Sequence, residues 1–95
     1  MENRPHFLEQ NLLERTITVN VILKCPKLYS LGKVLLALIT FTGVQLSPIG
    51  KLTGIKSDRF DWCCIKITGT ISNLIDVSAY LRALQIDADV IESTF

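Results

Sequence analysis

FDWCCIKITGTISNLIDVSAYLRAL, residues 60–84, changes its apolar period at a single glycine. Before Gly69 the pattern repeats every two residues. Asp61, Cys63, Ile65 and Ile67 share one face, and Phe60, Trp62, Cys64, Lys66 and Thr68 share the other, as in a strand whose side chains alternate across a sheet. After Gly69 the period lengthens to that of a helix, with Leu74, Val77, Ser78, Leu81 and Leu84 on one stripe. Thr70 is placed to cap that helix. A strand that runs directly into an amphipathic helix is half of a β-α-β unit, so a further strand should follow. Residues 86–91 supply it, with Ile86, Ala88 and Val90 facing inward.

Upstream the same order recurs. Ile17, Val19, Val21, Leu23 and Cys25 alternate with Thr16, Thr18, Asn20, Ile22 and Lys24, which predicts a strand over residues 16–25, ended by Pro26 because proline has no N–H to give a ladder. Ser30 can cap a helix whose stripe is Leu31, Val34, Leu35, Leu38, Ile39 and Thr42, with Gly43 as a left-handed stop. Leu36 and Phe41 lie partly off that stripe, so the helix has either a broad core face or a second, intermolecular contact. Residues 44–55 form a broken extended segment holding Pro48, Gly50 and Gly54. Proline in a sheet belongs at an edge or a bulge. Residues 56–59 read as a polar turn.

Strand, helix, strand, strand, helix, strand, with right-handed crossovers, gives an α+β, ferredoxin-like βαββαβ fold: a four-stranded antiparallel sheet with two helices on one face. Strands one and three are central, and strand two falls at an edge, where its proline does little harm. Residues 1–14 read as an N-terminal arm or short helix and residues 15–95 as the domain.

Composition narrows the function. The 95 residues suffice for one domain. They are 48% hydrophobic with mean hydropathy +0.36, an apolar surplus that a small domain places most readily in self-association. The net charge of +1 lacks the basic excess of a nucleic-acid binder. Three cysteines without a CxxC pair argue for a reducing compartment and against a disulfide scaffold or a zinc or iron–sulfur site. The lone histidine, His6, has no partner that would make it catalytic, so no enzyme and no cofactor is expected. The absence of a signal-like or membrane-spanning stretch points to a cytoplasmic protein.

The uncovered sheet face carries Thr18, Asn20, Ile22, Phe60, Trp62, Cys64, Lys66, Asp89 and Ile91. Ile22, Phe60, Trp62, Cys64 and Ile91 can form one apolar patch there, and with Pro48 on the edge strand they are the candidate interface. The patch serves either an intermolecular contact or the arm, with Phe7, Leu8 and Leu12 as cover. Cys64, beside Lys66, reads as an exposed thiol. Phe60 and Trp62 also stand one residue apart, as in an RNA-recognition motif. Strand one offers no aromatic partner, however, and Asp58 and Asp61 oppose phosphate.

Residues 69–91 resemble the end of a NIL domain, a ferredoxin-like module akin to ACT domains. Gly69 follows strand three, Ala79-Tyr80-Leu81 lies in the helix, and residues 86–91 alternate acidic and apolar. Gly43-Val44 and Phe60 are similar to further family positions, and the likeness spans about residues 16–92. Lys33 stands where many relatives carry proline, and Asp61 where they carry glycine. The resemblance implies a non-enzymatic regulatory or interaction domain. NIL domains of methionine-importer ATPases sense the transported amino acid, and ACT-like domains bind effectors at a dimer interface near the first strand–helix turn. Here that turn offers Lys27, Tyr29, Ser30, Leu31 and Gly32 to an amino-acid-like ligand. It implies a homodimer and a further protein partner that receives the signal.

Overall fold

A computed structural model describes residues 12–51 and 57–94. Strands β1 (Thr16–Pro26), β2 (Gln45–Lys51), β3 (Phe60–Thr70) and β4 (Asp87–Thr94) and helices α1 (Leu31–Thr42) and α2 (Ile71–Ala83) follow one another as β1-α1-β2-β3-α2-β4. The sheet order is β2-β3-β1-β4, antiparallel throughout, which is the ferredoxin-like topology. Residues 1–11 of the expected arm, His6 included, and the far end of the expected second strand, residues 52–55, lie outside the described residues, while Leu12 and Leu13 of the arm are helical and exposed.

Local chemistry sets the element ends. Gly43 takes φ 78° and its N–H donates to the Ile39 carbonyl at 3.2 Å, the left-handed stop that glycine makes without steric cost. Thr70 caps α2 by accepting the Asn73 N–H at 3.0 Å. Ser30 occupies the corresponding place on α1 with extended backbone, but its hydroxyl makes no capping bond. Past α2, the Gln85 N–H reaches the Arg82 carbonyl at 3.0 Å and the Ile86 N–H reaches Leu81 at 2.9 Å. This paired closure normally uses glycine at its left-handed residue. Here Gln85 holds φ 60°, at a steric cost of about 1 kcal/mol. Gln85→Gly is therefore expected to raise the unfolding free energy by about 1 kcal/mol, read as a higher urea midpoint with unchanged slope.

The core lies between the sheet and the helices. Val21, Leu23 and Cys25 of β1 and Cys63, Ile65 and Ile67 of β3 meet Val34 and Leu38 of α1, Val77 and Leu81 of α2, and Val44 and Ile86 from the connections. Gly69 is fixed by space. A Cβ there would lie 2.8 Å from Cγ1 of buried Val44. Pro26 stands only at the last position of central strand β1, and Pro48 sits in edge strand β2, whose register slips between Pro48 and Gly50.

Three burial expectations need correction. Ile39 is 44% exposed, because α1 turns a narrower stripe to the core than its apolar content suggests. Ser78 is exposed beside a cleft. Ala88 and Val90 do face the helix side, opposite Leu23 and Val21, yet both are exposed, Val90 by 61%. The helix layer stops short of β4 and leaves that margin open.

Candidate functional site

The sheet face away from the helices is laid out by register. Ile22 lies opposite Cys64, Lys24 opposite Trp62, and Pro26 opposite Phe60. Phe60 and Trp62 approach with ring centroids 5.9 Å apart and tilted by 60°. The Lys24 ammonium sits 4.3 Å from the Phe60 centroid and 5.8 Å from that of Trp62, a cation held against the negative faces of two rings. A stacking base would have to displace that lysine, which counts against a nucleotide platform. Farther along, the Thr18 and Thr68 hydroxyls meet at 3.0 Å.

Cys64 is not an exposed thiol. It belongs to the uncovered face by register, but only 8% of its surface is accessible, because Ile22 and the β2 backbone at Gly50 flank it. Cys25 and Cys63 are also free and buried. Burial pushes the Cys25 thiol up, with nearby Asp61 adding to the effect. Burial likewise raises Cys63, and Cys25, Cys64 and Asp61 raise it further. Both stay protonated and poorly nucleophilic at neutral pH. Among the described residues there is no group of three histidine, cysteine or acidic side chains that could hold a metal.

The fourth strand adds an acidic row. Asp87, Asp89 and Glu92 pair with Lys24, Ile22 and Asn20 respectively, so all three lie on the uncovered side. Glu92 joins them because β4 carries one extra residue, Ile91, at a bulge opposite Asn20 and Val21. Asn20 Nδ2 then donates to Glu92 Oε1 at 3.1 Å, while its own Oδ1 is buried without a partner. Ile91 itself is 55% exposed.

Two further surfaces stand out. On α1, Leu36 is 63% exposed and Phe41 74% exposed. Phe41 leans toward α2, 6.5 Å from the Tyr80 ring. Lys33 is the only charged residue among the twelve of this helix. The adjoining β2 edge presents Pro48 and Ile49, both exposed. The other surface is a cleft of about 580 Å³ between α2 and the β1–β4 margin, lined by Val19, Leu74, Val77, Leu81 and Val90 among others.

At the β1–α1 turn, Tyr29 and Leu31 pack against the core. Lys27, Ser30 and Gly32 are exposed. The Lys27 N–H is committed to the Arg59 carbonyl at 2.7 Å and that of Tyr29 to Pro26 at 3.0 Å. Ser30 makes no capping bond with its hydroxyl, and a Cβ added at Gly32 would meet nothing within 4 Å.

Alternation in sequence already put Asp87 and Asp89 on one face of the last strand, but the place of Glu92 beside them, the bulge and the cleft carried no sequence signal, since each arises where separate elements meet. No helix among the described residues is long and apolar enough to cross a membrane. The chain matches no protein-family model and no curated protein. The fold thus defines a ferredoxin-like α+β domain, and its function must be argued from its surfaces.

Proposed function

We propose that this chain is a non-enzymatic regulatory module of the NIL and ACT-like kind. It works as a homodimer that senses an amino-acid-like ligand and passes the signal to a protein partner. One observation carries the reading: α1 turns Leu36, Ile39 and Phe41 to solvent, and the β2 edge, free of acidic residues, has no strand beyond it among the described residues. An apolar, nearly uncharged helix face is self-complementary across a two-fold axis. The β4 edge is not, because antiparallel self-pairing would bring its acidic row against its own copy. Charge therefore favours the α1 and β2 side as the dimer surface. The uncommitted Ser30 hydroxyl and the α1 amides, with Lys27 nearby, offer a carboxylate both hydrogen-bond donors and positive potential.

Light scattering across a concentration series, with and without a panel of amino acids, tests both parts. The expected result is a dimer that one amino acid strengthens and that Leu36→Glu converts to a monomer of unchanged circular dichroism. A wild-type monomer at every concentration would refute the dimer. A dimer indifferent to every amino acid would refute the sensor while leaving the interface standing.

A further inference from the structure

The opposite side of the molecule supports a separate inference. β4 is the last strand of the sheet on its side, so one edge of its backbone has no neighbouring strand among the described residues. On its helix side, Ala88 and Val90 stand exposed at the cleft, which Val19, Val21, Leu74, Val77 and Leu81 also line and to which Ser78, Arg82, Gln85 and Asp87 add a polar end. On its other side it carries Asp87, Asp89 and Glu92, all exposed. Among the described residues, this edge strand thus presents free ladder positions, a mostly apolar trough on one face and a carboxylate row on the other.

We propose that this edge takes up an extended peptide segment in which basic and apolar residues alternate, added as a fifth strand beside β4. The side chains of a strand alternate between the two faces of its sheet. A strand laid on β4 therefore sends every second residue toward the cleft and the others to the acidic side. Only an apolar and basic alternation satisfies both at once. The cleft volume falls within the range of sites that bury compact apolar groups, enough for two or three aliphatic side chains. Backbone pairing supplies affinity and the alternating side chains supply selectivity. The bulge at Ile91 belongs to the device. It brings Glu92 into the row, and the Asn20 amide holds it there at 3.1 Å. The partner segment docks on the edge away from α1 and β2, so dimerisation and capture are compatible and independent.

The test uses the full chain and labelled peptides in fluorescence anisotropy. KVKVKVK is expected to bind saturably, and EVEVEVE at least about tenfold more weakly, since like charges placed side by side oppose docking. A lysine–valine peptide of the same composition without the alternation should also lose about tenfold. Asp89→Lys should weaken KVKVKVK by about tenfold and strengthen EVEVEVE, a reversal that damage to the fold could not produce. Val90→Glu should weaken both, with thermal unfolding checked for each variant. Equal affinity for the two charge patterns, or indifference to Asp89→Lys, would overturn the proposal. So would outward-facing β4 amides, those not bonded to β1, that resist hydrogen exchange before peptide is added. Such protection in dilute monomer would assign the edge to the chain's own residues, and protection that grows with concentration would assign it to a second copy.

Discussion

Leu38→Ala is expected to lower the unfolding free energy by ~2–5 kcal/mol, the cost of removing a buried leucine side chain and leaving a cavity behind. Leu38 is 0% exposed in the middle of α1, against the sheet and α2. Leu36→Ala, two residues away on the same helix, is expected to stay within about 0.5 kcal/mol, because that side chain already meets solvent. Urea unfolding at a dilution where the chain is monomeric separates the two. Comparable losses would mean that α1 is rotated about its axis from the orientation described. At higher concentration the ranking should narrow, since Leu36→Ala then removes dimer contacts and the linked stabilisation with them.

Gly69→Ala should cost ~1–3 kcal/mol, a large effect for one methyl group, because the added carbon cannot be accommodated without displacing Val44. Val44 is 2% exposed, and its branched side chain has few rotamers through which to retreat. Val44→Ala alone also destabilises, by loss of packing. In the double variant the space vacated by valine receives the new methyl group, so the two costs should not add, and a coupling of about 1 kcal/mol or more is expected from a double-mutant cycle. Strict additivity would show that glycine is needed at this position for some reason other than its contact with Val44.

Much of the fold was legible because each element carried its own period and its own punctuation. β3 and α2 were separated by a change of period around Gly69, α1 was closed by Gly43, and Pro48 marked an edge strand before any pairing was known. What escaped depended on how far one layer extends over another. Alternation correctly put Ala88 and Val90 on the helix side, but it does not say that α2 ends its cover before reaching them. The same holds for Cys64. Its face was readable, but its burial comes from Ile22 and Gly50, which lie distant in sequence and opposite it only through register. The bulge at Ile91 is an insertion relative to β1, so it exists only in the pairing. Of the candidate sites, the β1–α1 turn could be named from sequence because a strand–helix junction is local. The cleft draws its lining from β1, β3, α2 and β4, and its apolar residues look no different in sequence from those of the core.

The strand order also has a consequence for how the molecule is made. β1, made before the other three described strands, lies between β3 and β4, and the hydrogen bond from Asn20 to Glu92 joins residues 72 positions apart. No partner for β1 exists until β3 has been made, and its second side remains bare until β4 follows. Loops of that length must close before the contacts that compensate them can form. Folding should therefore be a late, concerted event and not a progressive one. While β1 waits, Val21, Leu23 and Cys25 form an alternating apolar strand open on both edges, the state in which a growing chain is most prone to pair with the wrong neighbour.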